Sequence, residues 1–396
     1  MKPRTRATAF GLAAVVLSIA GAVQAGTMTY GSPYVQSIHA PIGGSATVYD
    51  IVILAEGYRS SEMTKFATDA AAARDEILAK EPWATYRAFV RIWQMNTIST
   101  DSGVDKTLPV GPDSFESIYR NTCFDCRYAP ARGESFPGRL IVVGNMTNVN
   151  SAKSRVAGAD LVLILVNDSL YGGAGAAGVA TAYNGSSMRR VATHEMAHSA
   201  SNLGDEYVTG GNYTGSEPSW PNLSIASNPS FVKWSAWSWT LSNGQTVGCS
   251  AGGDGWATGI YHPTPTACHM NSDLSQPYCC VCRETILKTL HGRTNYLLDP
   301  RSSIRRSSTG WENVGAFWCS IAETVPDATN VVGFTLDGYA VTPTSTVSGL
   351  TRTWRLDRTL GRGTHRVRVS VLDNTGWIRL SAQRPTRTYE WSFTQR

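Results

Sequence analysis

The chain has 396 residues and a formal net charge of +5, and three of its positive charges, on Lys2, Arg4 and Arg6, precede every acidic residue. Without these three the chain carries +2, so the charge balance gives no support for nucleic-acid binding, and we predict no nucleic-acid partner. The length predicts two or three domains and is sufficient for sizeable buried cores.

The first 25 residues have the three-part layout of a secretory signal peptide. A basic start is followed by an apolar run over residues 7–22 and by Val23-Gln24-Ala25, which places small residues where a signal peptidase reads them. The run is short for a membrane span and contains Thr8 and Ser18, which disfavours an anchor. We therefore predict a signal peptide over residues 1–25, a secreted (extracellular or periplasmic) protein, and no transmembrane span.

All eight cysteines follow the predicted signal peptide. In an exported protein an even number of cysteines indicates disulfides, whose connectivity the sequence leaves open. Two Cys-x-x-Cys pairs, Cys123 with Cys126 and Cys279 with Cys282, also have spacing that fits a four-cysteine zinc site. Because export is predicted, we favour disulfides over that site.

Strands alternate with helices through residues 26–300, which favours an α/β layer architecture. The predicted strands are residues 50–55, 89–99, 139–143 and 159–166, and the predicted helices are residues 60–80 and 186–202. The continuous aliphatic run 159–166 is typical of a strand covered on both faces. The glycine-rich stretch 171–178 is not followed by Gly-Lys-Ser/Thr, so we interpret it as a flexible rim near a site rather than a phosphate cradle.

Residues 208–268 are rich in Gly, Ser, Asn and Pro and predict an irregular region. They contain a cluster of four tryptophans, Trp220, Trp234, Trp237 and Trp239. Such a cluster either packs a region with little regular structure or stacks on sugar rings, and we favour packing.

The C-terminal part has short β-type runs separated by turn residues. Residues 365–371 alternate with period two, as a half-buried antiparallel strand does. We predict an immunoglobulin-like β-sandwich over residues 318–396, joined by a linker over 301–317 to the α/β domain over 26–300. Residues 301–396 contain thirteen Arg, no Lys and seven acidic residues. We interpret them as a solvated arginine-rich face, with docking to an anionic surface as the alternative.

The helix over 186–202 carries the strongest chemical pattern, His194-Glu195-Met196-Ala197-His198. Residues four apart lie on one helix face, so both imidazoles reach one metal ion. Glu195 is one step round the helix, where its carboxylate meets a metal-bound water. Zinc lowers the pKa of that water towards ~7, and the glutamate takes its proton as general base.

Two downstream segments extend this pattern. Gly204 allows the chain to end the helix and fold back, which brings a carboxylate, from Asp205 or Glu206, to the metal from another direction. Three protein ligands and one open position make a catalytic zinc site. In Cys268-His269-Met270 a methionine in a turn would form an apolar floor under the metal.

Other polar residues near these segments have less specific patterns. His262 and His269 flank the segment that carries Met270. We favour surface histidines, as a lone loop histidine usually is, and the alternative is that either one approaches the active site. For Tyr207 we favour a core tyrosine with a satisfied hydroxyl over a group that stabilises an oxyanion.

The run from His194 to Tyr207 resembles the zinc signature of the IgA-peptidase family of secreted bacterial metallopeptidases. Residues 50–58, 167–173 and 278–284 are also similar to segments of that family. The resemblance implies a metzincin-like zinc endopeptidase with one catalytic Zn²⁺. It implies His194, His198 and Asp205 as metal ligands, Glu195 as general base, and Met270 in the methionine turn.

Two features depart from the pattern. Asp205 lies eleven residues after His194, whereas ordinary metzincins place the third ligand ten residues after the first histidine, so Glu206 competes with it. Cys280 stands where the family's cysteine motif has proline, which affects the pairing of Cys279 with Cys282.

The sequence thus predicts a secreted zinc endopeptidase that hydrolyses peptide bonds of extracellular protein or peptide substrates. The alternative is a surface-binding or glycan-binding secreted protein with a structural or idle metal site. The intact Glu195 disfavours that alternative, because a structural site has four ligands and no acid beside a water. The family is named for immunoglobulin A cleavage, but no pattern in this chain indicates that substrate.

Overall fold

A computed structural model describes residues 28–41, 48–112, 114–131, 134–135, 137–295, 297–306, 313–322, 330–348 and 351–395. The predicted signal peptide lies outside the described residues. The chain divides into two compact units. The first contains the described residues within 1–38, 50–80 and 92–286, and the second contains those within 39–49, 81–91 and 287–396. Among the described residues no helix is both long and apolar enough to cross a membrane.

The helices of the described residues fall mostly in the first unit. The α-helices are α1 (Met63–Ala79), α2 (Met146–Lys153), α3 (Met188–Ser201) and α4 (Cys280–Arg293). Short 3₁₀ helices lie at Ser60–Glu62, Arg87–Phe89, Ser235–Trp237 and Ser381–Gln383. Helix α1 buries Phe66, Ala70, Ala73 and Ile77, whose spacing of three and four residues forms one apolar stripe. The predicted helices over 60–80 and 186–202 are confirmed by α1 and α3.

The strands that precede residue 290 share one large sheet and three small ribbons. They are β1 (Thr29–His39), β2 (Tyr49–Glu56), β3 (Val90–Ile98), β4 (Lys106–Gly111), β5 (Ser114–Ile118), β6 (Cys126–Ala129), β7 (Leu140–Val143), β8 (Leu161–Val166), β9 (Gly173–Ala176), β10 (Val179–Tyr183), β11 (Leu241–Ser242), β12 (Gln245–Thr246), β13 (Ser250–Gly253) and β14 (Trp256–His262). The eight-stranded sheet has the order β1-β3-β2-β8-β10-β9-β7-β6.

The centre of this sheet follows from its sequence. Every residue of β2 and β8 is buried, as expected for parallel strands covered on both faces. Strand β8 pairs in parallel with both β2 and β10, whereas β9 runs antiparallel to β10. The sheet is therefore mixed, and the α/β architecture predicted for the first part of the chain is confirmed at this level.

The described C-terminal strands form two antiparallel four-stranded sheets. They are β15 (Leu297–Arg306), β16 (Asn313–Ala322), β17 (Asn330–Leu336), β18 (Tyr339–Val341), β19 (Thr344–Ser348), β20 (Thr351–Leu360), β21 (Gly363–Asp373) and β22 (Thr386–Gln395). The sheet orders are β15-β16-β20-β19 and β18-β17-β21-β22. Val367, Val369 and Val371 are fully buried, which confirms the period-two prediction. Strands β15 and β16 occupy residues 301–306 and 313–317, within the segment predicted as a linker.

Aromatic side chains connect the two C-terminal sheets. The ring of Phe317 on β16 stacks on Phe393 of β22 with centroids 5.5 Å apart, and it lies 5.6 Å from the ring of Trp391. Such pairs add to the free energy gained by burying the rings. The C-terminal region is therefore an all-β structure with an apolar core between its sheets.

Candidate active site

Helix α3 brings the two motif histidines together. The ring centroids of His194 and His198 are 4.7 Å apart, and their Nε2 atoms are 3.1 Å apart. Val191, Ala192, Met196 and Ala197 are buried, so packing fixes the helix. The prediction that both imidazoles lie on one face of the helix is confirmed.

The end of α3 differs from the prediction in its details. Asn202, rather than Gly204, takes the left-handed conformation that ends the helix, with φ of 50°. Gly204 has a different reason to be glycine: a Cβ there would lie 2.5 Å from Leu223 Cδ1 and 3.0 Å from Trp220 Cγ. The chain therefore turns two residues earlier than predicted, and Gly204 permits a close approach of Leu223 and Trp220.

After this turn the structure places Asp205, and not Glu206, beside the histidines. Its Oδ1 lies 3.0 Å from His194 Nε2 and 3.2 Å from His198 Nε2. The Glu206 carboxylate is buried elsewhere, where its Oε1 accepts hydrogen bonds from Asn222 Nδ2 at 3.0 Å and from the Cys282 thiol at 3.1 Å.

Backbone carbonyls set the tautomers of both imidazoles. His194 Nδ1 lies 2.9 Å from the carbonyl oxygen of His269, and His198 Nδ1 lies 2.6 Å from that of Leu203. A carbonyl only accepts, so each Nδ1 carries the hydrogen and each Nε2 presents a lone pair. Two lone pairs and the Asp205 oxygen therefore converge on one point, an arrangement that suits a cation between them.

The separations fit one metal ion. Two ligand atoms bound ~2.0–2.1 Å from a zinc ion at a tetrahedral angle lie ~3.3–3.4 Å apart, close to the distances between these three atoms. The Asp205 carboxylate also favours positive charge at this point: burial lowers the pKa of His198, but the carboxylate outweighs burial and raises the pKa to about 9. Burial raises the pKa of Asp205 and the two imidazoles outweigh it, so that pKa lies well below its ordinary value.

The side chain of Glu195, on α3, lies against strand β9. A Cβ at Gly173 would come within 2.9 Å of Glu195 Oε1, and one at Gly175 within 2.1 Å of the Glu195 carbonyl oxygen. Burial raises the pKa of the Glu195 carboxyl, with the imidazoles of His194 and His198 acting against it. Residues 173–176 are thus a strand packed on the helix. The prediction that the segment 171–178 lies near the site is confirmed for them, but the strand was not predicted.

Tyr207 and Arg139 form a hydrogen-bonded chain that ends on the other carboxylate oxygen of Asp205, Oδ2. The hydroxyl of Tyr207 donates to Asp205 Oδ2 at 2.7 Å, and Arg139 Nη2 donates to that hydroxyl at 2.8 Å. The guanidinium also lies 4.8 Å from the centre of the Tyr207 ring. The satisfied hydroxyl agrees with the interpretation favoured for Tyr207. Arg139 was missed, since the sequence marks it only as the first residue of a predicted strand.

The turn with Met270 lies directly behind the histidines. Met270 is fully buried, and its carbonyl accepts from the Glu206 N–H at 2.7 Å. The ring of His269 is also buried, with Nε2 2.9 Å from Thr193 Oγ1 and Nδ1 3.2 Å from Lys80 Nζ. Burial, and then the charge of Lys80, hold the pKa of His269 well below its ordinary value. His262 is buried too, so the prediction that both histidines are surface residues is wrong.

Comparison with known families agrees with this geometry. The family model described as IgA Peptidase M64 matches residues 40–242, just over half of the chain, including all of α3 and Asp205. The chain belongs to the M64 peptidase family. It is therefore a metallopeptidase, and the predicted resemblance is confirmed. No curated protein matches the chain.

The remaining predicted features of this M64 peptidase have mixed outcomes. Trp234 and Trp237 are buried, and the Trp234 Nε1–H donates to the carbonyl of Gly248 at 2.8 Å, so the packing interpretation holds for them. Trp239 is 72% exposed. All eight cysteines lie in the described residues and all are free thiols there. Cys279 and Cys282 cluster with Cys268 and not with Cys123 and Cys126.

Proposed function

We propose that this M64 peptidase is an exported zinc-dependent endopeptidase that hydrolyses internal peptide bonds of proteins outside the cytoplasm. His194, His198 and Asp205 would hold one Zn²⁺. The observation that carries the proposal is the convergence of their three acceptor atoms within 3.2 Å of one another. A zinc ion there would act as a Lewis acid that polarises a scissile carbonyl and lowers the pKa of water towards ~7.

Glu195 would act as the general base and then as the general acid. Its carboxylate would take the proton of the attacking water and later deliver it to the leaving amine. Burial raises its pKa, which brings the group closer to the range in which it both accepts and returns a proton near neutral pH. The position one residue after His194 keeps this carboxylate next to the metal ligands without joining them.

The other groups around the site would position the ligands. The carbonyls of His269 and Leu203 hold the imidazole planes, while Tyr207 and Arg139 hold the second oxygen of Asp205. Partners of this kind fix the orientation of metal ligands and raise their affinity for the ion.

Strand β9 supports cleavage within a chain rather than at its end. It lies against Glu195 through Gly173 and Gly175, and on its outer side its described pairing with β7 is limited to Leu140 and Gly173. Residues 174–176 therefore offer backbone groups to which an extended peptide would add as a further strand. A strand docked in this way passes Glu195 and continues in both directions, which suits an endopeptidase.

The finer fold and the location belong to the same proposal. A catalytic helix with a third ligand beyond its end and a methionine turn is metzincin-like, and the two C-terminal sheets joined by Phe317 suit an immunoglobulin-like sandwich. The signal pattern over residues 1–25 supports export to the periplasm or the extracellular space.

Metal analysis and proteolysis of the purified mature protein test this proposal. We expect bound zinc, digestion of unfolded casein, and loss of digestion on treatment with a chelator, with recovery when zinc is restored. The matched variants are Glu195→Gln and Glu116→Gln, the second on the exposed side of β5. Metal-loaded protein that leaves casein intact, or digestion that Glu195→Gln leaves unchanged, would contradict the proposal.

A further inference from the structure

A second group of potential metal ligands lies outside the site described above. The side chains of Glu206, Cys268, Cys279 and Cys282 are all buried, and one ligand atom from each lies within 4.8 Å of all the others. They come from three separate segments: Glu206 follows Asp205, Cys268 precedes the Met270 turn, and the other two cysteines lie at the start of α4. Burial of four such groups at one point requires a physical reason.

The sulfur positions fit a shared metal ion. Cys268 Sγ and Cys282 Sγ are 3.7 Å apart, well beyond the ~2.0 Å of a disulfide. Two thiolates bound ~2.3 Å from one zinc ion at a tetrahedral angle lie ~3.8 Å apart. A disulfide would also pair only two of the three thiols and leave the third buried beside a carboxylate.

The surroundings of the cluster favour negative sulfur. The backbone N–H groups of Val281 and Cys282, at the N-terminus of α4, donate to the Cys279 sulfur, and the N–H of Cys279 lies 3.3 Å from Cys268 Sγ. Amide hydrogens that point at sulfur stabilise thiolates, as helix N-termini do. The cluster therefore concentrates hydrogen-bond acceptors and sulfur ligands at one buried point.

Two buried polar atoms next to the cluster also make no hydrogen bond in the described part of the chain and face only each other. Among the described residues, Glu206 Oε2 and His262 Nδ1 have no hydrogen-bond partner, and the two atoms are 3.6 Å apart. A buried carboxylate oxygen without a partner is costly. A cation in the cluster would offset the charge of this carboxylate.

We propose that Cys268, Cys279, Cys282 and Glu206 form a second, structural metal site that binds a thiophilic divalent cation, zinc. Three sulfur ligands and one carboxylate complete a tetrahedral set, so no position is open for a water or a substrate. Soft thiolate ligands select zinc over magnesium or calcium. In this proposal Cys279 and Cys282 bind a metal ion, whereas the sequence analysis favoured disulfides for them.

The position of this ion gives it a role in the active site. It would connect the segment that carries Asp205 to the turn that carries Met270, and both to α4. Direct bonds already join the first two, because the Glu206 N–H donates to the Met270 carbonyl at 2.7 Å and Asn271 Nδ2 donates to the Glu206 carbonyl at 3.0 Å. The ion would hold these segments in the register that the ligands of the first site need.

Native mass spectrometry and cobalt substitution test the proposal on the full mature chain. Native mass spectrometry counts the bound ions. After unfolding with a chelator, the mass of the metal-free chain shows whether a disulfide is present, because each disulfide lowers that mass by two hydrogens. We expect two zinc ions per chain and eight free thiols. Cobalt(II) exchanged into the protein should give the thiolate-to-cobalt charge-transfer absorption. A disulfide among these three cysteines, or cobalt-loaded protein without that absorption, would overturn the proposal.

Variants separate the two sites. His198→Ala should lose one ion and keep the thiolate–cobalt absorption, whereas Cys282→Ser should lose one ion together with that absorption. Cys280→Ser, in the same motif but outside the cluster, should keep both ions. If Cys282→Ser fails to fold, the spectrum of His198→Ala still decides, because only the proposed site can then bind cobalt through sulfur. If the proposed function is wrong and no ion binds at His194, His198 and Asp205, the parent protein should still bind one ion and show the thiolate–cobalt absorption.

Discussion

Replacement of Glu195 by glutamine isolates proton transfer from every other property of the site. The space beside Gly173 is tight, since a Cβ at that residue would lie only 2.9 Å from Glu195 Oε1. The amide has nearly the same shape as the carboxylate and therefore fits there. Glu195 makes none of the contacts that join His194, His198 and Asp205. The substitution should therefore leave the metal site and the fold intact.

The expected magnitude follows from the assigned role. A positioned general base contributes ~10²–10⁴-fold to a rate, which corresponds to ~3–5.5 kcal/mol of transition-state stabilisation. Because the amide cannot accept the proton, we expect Glu195→Gln to lower kcat by this factor, with KM within severalfold of the parent.

The assay combines kinetics on a quenched internal peptide with zinc content and a thermal melt on the same sample. Glu116→Gln serves as the control, since it makes the same chemical change on the exposed strand β5 and should leave kcat unaltered. A zinc-loaded, folded Glu195→Gln protein with kcat within severalfold of the parent would refute the role of Glu195 in proton transfer.

Three further changes test the supports of the structure. Tyr207→Phe removes the hydrogen bond to Asp205, the proposed third ligand, and should lower zinc affinity ~10–100-fold in a chelator competition; unaltered affinity would contradict the positioning role of Tyr207. Gly175→Ala places a Cβ 2.1 Å from a backbone oxygen and should destabilise the fold by ~1–3 kcal/mol in denaturant unfolding, whereas Gly248→Ala, which meets nothing within 4 Å, should not. Burial raises the pKa of Asp373, but its bonds with His291 and a tyrosine outweigh burial and lower it. Its stabilising effect is therefore present above its unfolded pKa of ~3.9 and is lost as the pH falls through the lower folded value. The stability gap between the parent and Asp373→Asn should close in acid, and a gap constant down to pH ~2 would contradict this.

Much of the fold could be predicted because its central elements have strong local patterns. The aliphatic runs of β2 and β8, the alternation in β21 and the histidine spacing on α3 each reflect one periodicity of a single element. Burial then follows the pattern, since both faces of β8 and one face of β21 are covered. His194 and His198, the proposed ligand pair, could be predicted for the same reason.

Features that depend on two distant segments were missed. Strand β9 consists of glycine and alanine, which have little strand propensity, and its place is set by a close approach to Glu195. Arg139 reaches the site through Tyr207, a contact between segments 68 residues apart. Cys268 joins the two cysteines at the start of α4 only because the Met270 turn lies there. No local pattern contains such information.

The second compact unit combines chain segments that are distant in sequence, so removal of its C-terminal part should affect the rest of the unit. Residues 81–91, far from the C-terminus in sequence, belong to the same compact unit as residues 287–396. Tyr86 donates to the carboxylate of Asp373, His291 Nε2 lies 2.7 Å from the same carboxylate, and Arg387 donates to the carbonyls of His291 and Thr294. A chain that ends at residue 302 loses both Asp373 and Arg387.

Such a chain should be strongly destabilised. Each buried group left without its partner costs ~1–3 kcal/mol, and several such losses approach the ~5–15 kcal/mol by which a domain is typically stable. We expect little soluble monomer, and for any that remains a lower melting temperature and weak casein digestion, even though all the proposed metal ligands precede residue 302. The measurement is the yield and thermal melt of the truncated and full chains prepared in parallel. A soluble truncated chain that melts at the temperature of the full chain would show that residues 81–91 and the end of α4 need no partner from the C-terminal sheets.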